Sequence, residues 1–392
     1  MDSHDIVLLG ATGFTGGLTA EYLARNAPPG SRWAVAGRDI TRVSVLAERL
    51  TSLSGGSQPV GALHVDVTNN ASVRAAAEST RVLASTVGPF MEYGEAVVAA
   101  CAATGTDYLD ITGEPEFVDR MWLAHHDQAV RSGARLVHCC GFDSVPHDLG
   151  VWFTLRHLPE GVPLTVEGFV RVNAGFSAGT YHSAVRAFGR ARQSRAAAGR
   201  RRASESRPTG RRVRALPARI KREPESARWA VPLPTIDPVV VRRSARALER
   251  YGPDFAYGHY AVVGRPHLVA GTVAGATGLF ALSQIPPARD ALLRLRSAGE
   301  GPAADRRAKS WFRVRFAAAG EGLRVLTEVA GADPGYDETA KMLGESALCL
   351  AFDDLPACSG QVTTVQAMGD ALLARLERAH LTFRLVKVGE PG

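Results

Sequence analysis

Six short apolar runs divide the first 145 residues at fairly regular intervals. Between them, apolar residues recur every three or four positions, as Leu18, Tyr22 and Leu23 do. Apolar strands that alternate with amphipathic helices are typical of a parallel sheet covered on both faces, with all its strand C-terminal ends at one edge. The predicted strands are IVLLG (6–10), WAVAG (33–37), ALHVDV (62–67), VLASTVG (82–88), DYLDIT (107–112) and RLVHCCG (135–141).

The rest of the chain has a less regular pattern. Its clearest elements are a hairpin around Gly320 and Gly322 and two helices, over 338–351 and 364–379. A mixture of strands and helices without strict alternation favours a mixed α/β domain. We therefore predict an α/β fold with two domains, a parallel-sheet domain over 1–145 and a second, mixed α/β domain over 146–392.

Residues 268–285 form an uncharged stretch that stops at Pro286. The stretch approaches the length of a bilayer span, but it contains three glycines and several hydroxyl side chains, so its hydropathy is poor for a span. We expect a buried core helix. A helix that lines an acyl tunnel or docks on a membrane surface is the alternative.

Positive charge is concentrated in one segment. The net charge is +7, yet residues 186–222 carry fourteen Lys and Arg and one acid, Glu205, so the rest of the chain has a net charge of −6. We predict a flexible basic insertion near 186–225 because this tract is rich in Arg, Ala and Ser. It lacks interleaved aromatic residues, which argues against nucleic-acid binding.

Composition and cysteine content favour a cytoplasmic protein. Hydrophobic residues make up 45% and charged residues 22% of the 392 positions, as in soluble globular proteins. The N-terminal residues MDSHD lack the features of a secretory signal. The five cysteines are odd in number and have no CxxC spacing, which favours free thiols and argues against a zinc site. We predict no metal.

Three glycines follow the first predicted strand and precede a helix-like segment. In GATGFTG, Gly10 permits a tight turn, Gly13 lets the backbone approach a diphosphate, and Gly16 lets the helix pack on the strand. The N–H groups at the start of that helix provide an anion site, as in Rossmann-type domains that bind dinucleotides. The predicted cofactor-binding residues of this loop are Gly10, Thr12, Gly13, Phe14, Thr15 and Gly16.

The end of the second strand favours NADP(H) over NAD(H). An NAD site places Asp or Glu there for the ribose hydroxyl, whereas this strand ends in Arg38, whose guanidinium suits a 2′-phosphate. The adjacent Asp39 leaves NAD(H) as the alternative. Asp66, after the third strand, is predicted either to contact the adenine or to cap a helix.

The later strands end in loops that should lie beside the glycine loop, because ligands bind at the carboxyl ends of parallel strands. In TVGPFMEYGE we predict that Val87, Gly88 and Pro89 lie at the nicotinamide side. In DITGEPEF and CGFDSVPHDLG the candidate substrate contacts are Glu114, Asp143 and Ser144. Asp143 and Ser144 are also ordinary turn residues before Pro146, so a structural role is the alternative.

These motifs together with SAGTYHSA, ADPGYxxTAKMLxESALCLA and AMGDALLxRL resemble the saccharopine dehydrogenase-like oxidoreductases, and within them the trans-acting enoyl reductases. The resemblance covers nearly the whole chain. It implies an NADP-binding Rossmann domain, followed by a mixed α/β domain that covers the cofactor. It further implies reduction of an enoyl thioester that is carried on a polyketide synthase lacking this activity.

Enoyl reduction needs a hydride, a donor for the thioester carbonyl and a proton for the α-carbon. The candidates for the catalytic group are Tyr93, Tyr181 and His182, and no spacing selects among them. The Tyr-xxx-Lys pair of short-chain reductases is missing, since Tyr336 and Lys341 are five positions apart.

Two other functions stay open. One is oxidation or reduction of a C–N bond, as in saccharopine dehydrogenases, for which Arg171 and Arg242 are candidate carboxylate ligands. The other is a non-catalytic NADP-binding protein at a membrane.

The basic tract has two interpretations: it is a docking surface for an acidic acyl carrier, or it is a solvated loop without a partner. The expected location is the cytoplasm, with peripheral contact at the plasma membrane as a further option.

Overall fold

The computed structural model describes residues 4–55, 59–174, 178–264, 266–295 and 301–389. Seven parallel strands form the first sheet: β1 (His4–Leu9), β2 (Trp33–Gly37), β3 (Gly61–His64), β4 (Thr80–Ser85), β5 (Asp107–Asp110), β6 (Arg135–Val137) and β14 (Gly360–Val362). Their spatial order is β14-β6-β5-β4-β1-β2-β3. The predicted parallel sheet is confirmed.

Both faces of this sheet are covered by helices, because each strand is apolar on both sides. Helices α1 (Phe14–Asn26), α2 (Ile40–Leu53), α14 (Asp337–Phe352) and α15 (Thr364–Arg378) share one hydrophobic cluster, and α3 (Asn70–Glu78), α5 (Glu95–Thr104) and α6 (Pro115–Ser132) share the other. In β1, Ile6 and Leu8 belong to the first cluster and Val7 and Leu9 to the second. This alternation follows from the period of two in a strand.

The second sheet is mixed. Its strands are β7 (Leu164–Asn173), β8 (Arg212–Ala215), β9 (Lys221–Arg222), β10 (Trp229–Pro232), β11 (Asp254–Gly264), β12 (Trp311–Gly320), β13 (Leu323–Gly331) and β15 (Thr382–Gly389). They lie in the order β15-β13-β12-β7-β11-β10-β9, and β8 pairs with β11. The predicted hairpin is β12–β13, which turns at Glu321 and Gly322. The sequence therefore predicted the fold class correctly.

The remaining helices connect and cover the two sheets. They are α4 (Phe90–Tyr93), α7 (Val145–Leu155), α8 (Ala178–Gly189), α9 (Ala191–Ser204), α10 (Asp237–Ala247), α11 (Pro266–Ser283), α12 (Pro286–Arg294) and α13 (Ala304–Arg307), together with a 3-10 turn, Glu249–Tyr251. Helix α7 joins the domains: Gly150 lies against Phe316 of β12 so closely that a Cβ there would be 2.3 Å from the ring.

The division into residues 1–145 and 146–392 needs a correction, because the chain returns to the first sheet near its end. Helix α14 packs on β1, β4 and β5, and β14 extends the sheet beside β6. The physical reason is burial: α14 carries Met342, Leu343 and Leu348, all without solvent exposure, onto a sheet face that would otherwise be bare.

The basic tract is also different from the flexible insertion that we predicted. Residues 191–204 form helix α9, which packs on α6. Arg201 is only 5% exposed; its guanidinium pairs with Asp119 at 3.4 Å and lies over the ring of Trp122. Acidic and aromatic partners on α6 thus order a segment whose composition alone suggests disorder.

Helix α11 is not the buried core helix that we expected. Nearly all of its residues are exposed, including Leu268 (49%), Val273 (46%) and Leu282 (47%). The helix contacts α8, α12 and strands β10 and β11. Among the described residues, no single helix is long and apolar enough to cross a membrane. The bent pair His267–Ser283 and Pro286–Arg294 reaches the required length and apolar composition only when both helices are counted together.

Candidate cofactor and substrate site

A cavity of about 490 Å³ lies at the C-terminal ends of β1, β2, β4, β5 and β6. Its opposite wall comes from α8 and from Pro334–Tyr336, so both parts of the molecule contribute to it. The predicted site residues that line it are Gly10, Thr12, Gly13, Phe14, Thr15, Gly16, Arg38, Val87, Gly88, Pro89, Glu114, Asp143 and His182. Asp66, Tyr93, Ser144 and Tyr181 are not among the residues that line it.

The glycine loop forms a cradle that side chains would fill. A Cβ at Gly16 would be 2.2 Å from the carbonyl oxygen of Gly10, so only glycine lets α1 start this close to β1. Gly10 has a φ of +85°, in the region that favours glycine. Gly13 caps α1 without a side-chain hydrogen bond, which leaves the first N–H groups of the helix to an anion. This arrangement fits a dinucleotide diphosphate.

The residues after β2 separate the two nicotinamide cofactors. Arg38 lines the cavity, whereas the carboxylate of Asp39 accepts the backbone N–H of Arg42 at 3.1 Å and caps α2. A carboxylate used as a helix cap is less free to bind a ribose hydroxyl. The positive charge at this end of the cavity thus favours a 2′-phosphate.

Asp66 does not cap the helix that follows it, and its contact with the adenine stays a prediction. Its carboxylate accepts hydrogen bonds from the backbone N–H (2.9 Å) and the hydroxyl (2.8 Å) of Thr68, and these bonds lower the pKa of Asp66. Asn69 caps α3 instead, by accepting the N–H groups of Ala71 and Ser72. The aspartate therefore closes a local turn, while its neighbours in the chain, 65 and 67, line the cavity.

The loop after β4 is held in place by side chains from two directions. Thr86 donates its hydroxyl to Leu9 (3.1 Å) and Gly10 (3.2 Å), which ties this loop to the glycine loop. The carboxylate of Glu114 accepts the N–H groups of Phe90 (3.3 Å) and Met91 (3.1 Å) at the start of α4. Burial raises the pKa of Glu114. Glu114 lines the cavity and at the same time positions the loop that carries Gly88 and Pro89.

Asp143 and Ser144, the two neighbouring candidates before α7, differ in their position relative to the cavity. Asp143 lines the cavity, and burial raises the pKa of its carboxyl. Ser144 is fully buried, and its hydroxyl has no hydrogen-bond partner among the described residues. Ser144 is not among the residues that line the cavity, and its role as a substrate contact stays a prediction.

Of the three catalytic candidates, His182 alone lines the cavity. Tyr93 ends α4 with 39% of its surface exposed. Tyr181 donates its phenol to the carbonyl of Leu292 at 3.1 Å and so joins α8 to α12. Neither tyrosine lines the cavity: Tyr93 is exposed to solvent, and Tyr181 makes a contact between helices.

Some lining residues were not predicted as site residues. Tyr336 lies in the ADPGY motif; its ring meets Phe14 edge-to-face, with 4.9 Å between centroids. Thr339, in the first turn of α14, also lines the cavity and accepts the N–H of Phe142 at 3.1 Å. The long ADPGY motif was the available signal, but no periodicity links it to a loop more than 300 residues earlier.

Helix α8 covers the cavity and is anchored to the first domain by two ion pairs. Arg190 binds Glu116 through two hydrogen bonds, of 2.8 and 2.6 Å, and Arg186 lies 3.3 Å from Glu92. A two-pronged Arg–carboxylate contact fixes orientation as well as distance. His182 and Ser183 are thereby held over the cavity between these anchors and Gly179.

Comparisons with known proteins agree with this geometry. Residues 6–137 match the family described as the saccharopine dehydrogenase NADP binding domain. A Mycobacterium tuberculosis protein provisionally named trans-acting enoyl reductase is 37% identical over 98% of both chains, and the saccharopine dehydrogenase-like oxidoreductase of Rattus norvegicus is 30% identical over 98% of both. Apo saccharopine dehydrogenase from Saccharomyces cerevisiae has a similar fold, with a TM-score of 0.54, 13% identity, and coverage of 98% of this chain and 100% of the yeast chain.

Proposed function

The chain belongs to the saccharopine dehydrogenase-like oxidoreductases and is an NADP-dependent oxidoreductase, and from this premise we propose that it reduces the C=C bond of enoyl thioesters in polyketide or glycolipid synthesis. Relatives that match it over nearly their full length carry the name trans-acting enoyl reductase, which supports the proposal. The substrate is then an acyl thioester on a separate carrier domain. Exposed arginines of α9, such as Arg192 and Arg195, offer positive charge to an acidic carrier.

The observation that carries the proposal is the set of cations in the cavity. Among the described residues, Arg38 and Arg186 are the only Lys or Arg that line it, and Arg186 is already paired with Glu92. Arg171 and Arg242 are not among the lining residues, and Arg171 stacks over Trp311 at 5.4 Å. A substrate with free carboxylates needs cationic partners, whereas a thioester needs none. This favours the thioester over a saccharopine-type substrate.

The residues of the cavity have distinct tasks in this reaction. NADPH, when bound, supplies the hydride. The glycine loop and the start of α1 hold its diphosphate, and Arg38 holds the 2′-phosphate. Ser183 provides an O–H donor for the thioester carbonyl. His182 donates a proton to the α-carbon, since histidine is the side chain that exchanges protons near neutral pH. Helix α8 excludes water above these groups.

Oxidation of NADPH by the purified chain tests the proposal. We expect turnover with an enoyl thioester such as crotonyl-pantetheine and none with saccharopine or with 2-oxoglutarate plus lysine. Turnover with the amino-acid substrates alone would overturn the enoyl reductase proposal. If NADPH binds but neither substrate class reacts, while a carrier-bound enoyl chain is also inert, the proposal fails as well.

Because α11 is exposed, the proposal includes a location for the protein at a membrane, where this helix inserts into the surface of a lipid bilayer. No Asp, Glu, Lys or Arg occurs from Pro266 to Ile285, and the exposed residues lie all round the helix. Helix α11 contacts α8, α12, β10 and β11, and the apolar interface of a bilayer would cover the uncharged sides that these elements leave exposed. Arg294, at the end of the neighbouring helix α12, is exposed and provides a positive charge for headgroups. Because α11 packs on α8, an acyl substrate would then arrive next to the cavity.

Vesicle sedimentation tests this location. We expect the full chain to pellet with phosphatidylglycerol vesicles, and Val273→Glu to weaken binding about tenfold or more, because a charge on the inserted face is costly to bury. Val45→Glu, on exposed α2, is the matched control, since Val45 is 62% exposed. Equal binding by both variants, or a concentration-dependent dimer that Val273→Glu abolishes without any vesicle binding, would contradict the bilayer contact.

A further inference from the structure

Two histidines and an aspartate meet in the interior behind the cavity wall. His147 lies in α7, Asp237 begins α10, and His259 is in β11, so three separate elements converge. All three are buried, with 2%, 3% and 6% of their surface exposed. Nε2 of His147 lies 3.1 Å from Oδ1 of Asp237, and Nε2 of His259 lies 3.7 Å from Oδ2. One ligand atom from each residue falls within 4.8 Å of the others.

Hydrogen bonding does not account for this arrangement. The separation of 3.7 Å is too long for a hydrogen bond, and Oδ1 of Asp237 has no hydrogen-bond partner among the described residues despite its approach to His147. Nε2 of His259 is likewise buried without a hydrogen-bond partner there. Buried polar atoms are nearly always satisfied, so Oδ1 of Asp237, which faces His147, and Nε2 of His259, which faces Oδ2 of Asp237, point to a ligand missing from the cluster.

The charge of the cluster points the same way. Among the described residues, no Lys or Arg forms an ion pair with Asp237, whose carboxylate also accepts the hydroxyl of Thr235. An isolated carboxylate in the protein interior is costly unless a cation neutralises it. A divalent ion between the two imidazoles and the carboxylate would supply that charge.

The donor set and its surroundings have the form of a transition-metal site. Two imidazoles and one carboxylate are a common three-ligand set for zinc and for iron. Metal–ligand bonds of about 2.0–2.2 Å place neighbouring ligand atoms roughly 3–3.6 Å apart, close to the 3.1 and 3.7 Å of the two imidazole–carboxylate contacts. Nδ1 of His259 lies 3.0 Å from the hydroxyl of Tyr257, the kind of outer contact that orients a ligating histidine.

We propose that His147, Asp237 and His259 bind one divalent transition-metal ion of the zinc type. The ion ties α7 of the domain junction to α10 and β11 of the second domain. It lies behind Phe142, whose ring lines the cavity and meets the ring of His147 edge-to-face with 5.5 Å between centroids. Its role is to brace the wall of the cavity. This inference is independent of which substrate the cavity binds. The sequence predicted no metal because the three ligands are 90 and 22 positions apart and no cysteine takes part.

Metal analysis of the full-length chain, purified without a histidine tag, tests the site. After dialysis against a chelator, titration with Zn²⁺ should show one tight equivalent per chain and raise the melting temperature, while Mg²⁺ should do neither. His259→Gln and His147→Asn should each weaken Zn²⁺ binding about tenfold or more. His125→Gln is the control, because this half-buried histidine of α6 lies outside the cluster.

A second readout guards against misfolded variants. Co²⁺ should give visible absorption with the wild-type chain and with His125→Gln, and much weaker absorption with His259→Gln. NADPH binding shows that each variant is folded. The inference is overturned if the folded wild type takes up less than half an equivalent of Zn²⁺, or if folded His147→Asn and His259→Gln bind it as tightly as the control.

Discussion

Gly13 and Gly17 are both in the glycine loop region, yet a side chain would meet different surroundings at each. A Cβ at Gly13 would be 3.3 Å from the carbonyl of Gly10 and inside the cavity, whereas one at Gly17 would be 3.6 Å from the carbonyl of Ala11, an ordinary contact. Gly13→Val should therefore weaken NADPH binding about tenfold or more, because the side chain takes the space of the diphosphate. Fluorescence titration with NADPH measures this.

Gly17→Ala is the matched control for that change. It should retain NADPH affinity and gain slightly in helix stability, since alanine is a better helix former. Unchanged affinity in Gly13→Val, with the chain folded by circular dichroism, would mean that the cofactor does not lie on this loop.

Arg38 determines cofactor choice in our interpretation. Arg38→Gln should lower NADPH affinity about tenfold and leave NADH affinity within about twofold, because NADH has no 2′-phosphate for this charge to bind. Arg42→Gln, one turn into α2 and exposed, should change neither. The ratio of the two dissociation constants is the measurement. A parallel loss for both cofactors would assign Arg38 to structure.

His182 is the residue to which we assign proton transfer. His182→Gln should lower kcat with an enoyl thioester about 10²-fold while leaving the KM for NADPH within about twofold, since it removes a proton donor and no cofactor contact. Tyr181→Phe, which removes the phenol that binds Leu292, is the neighbouring control. Equal kcat in His182→Gln and wild type would exclude this histidine as the donor.

At the scale of single elements, a buried carboxylate joins three strands at one side of the second sheet. Glu328 of β13 accepts hydrogen bonds from Arg315 of β12 at 2.9 Å and from Arg384 of β15 at 2.6 Å. Burial by itself would raise the pKa of Glu328, but these arginines outweigh it and lower the pKa. Three strands are thus joined through one ionised side chain.

Because the pKa of Glu328 is lower in the folded chain than in the unfolded chain, the stability that its carboxylate contributes increases with pH. The contribution of Glu328 to folding is complete above its unfolded-state pKa of about 4.3 and is lost as the pH falls through the lower folded-state value. Glu328→Gln should therefore be less stable than wild type by urea denaturation at pH 7, and the difference should shrink below about pH 4. The exposed Glu377→Gln should show no such difference. A difference that is independent of pH would contradict the ionic contribution.

Three of the predicted strands extend further along the chain than the strands in the structure do. The predicted strands 82–88, 107–112 and 135–141 end in the structure at Ser85, Asp110 and Val137. The residues beyond those ends are apolar enough to read as strand, but their backbones bend toward the cavity. Asp110 shows the cause: its carboxylate accepts the N–H groups of Thr112 (3.1 Å) and Cys139 (2.9 Å), which replaces sheet pairing with side-chain pairing.

At the scale of the whole molecule, the two sheets are joined by buried polar contacts as well as by apolar packing. Asp148 of α7 accepts hydrogen bonds from Ser244 of α10 at 2.6 Å and from Thr364 of α15 at 2.8 Å. It also accepts the N–H of Val365 at 3.1 Å. One aspartate therefore connects the domain junction, the second domain and the C-terminal return, and His147, one of the three proposed metal ligands, lies on the same helix.

The amino-acid sequence by itself determined the parallel sheet, the glycine loop and the order of the strand-end loops. These features are local: an apolar run, a helical period or a glycine at a turn is written in neighbouring residues, and parallel strands bring their C-terminal ends to one edge by handedness alone. Arg38 could be chosen as a candidate for the same reason, since it follows a strand whose end the pattern places near the cavity, whereas no pattern selected His182 over the two tyrosines.

Only the tertiary structure decided which distant residues meet. It brought Tyr336 against Phe14, returned β14 to the first sheet, exposed α11 and gathered His147, Asp237 and His259. Such contacts depend on how whole faces pack, and a periodic pattern describes a face without naming its partner. The sequence thus specifies the cofactor half of the site, and the fold specifies what surrounds the reacting end.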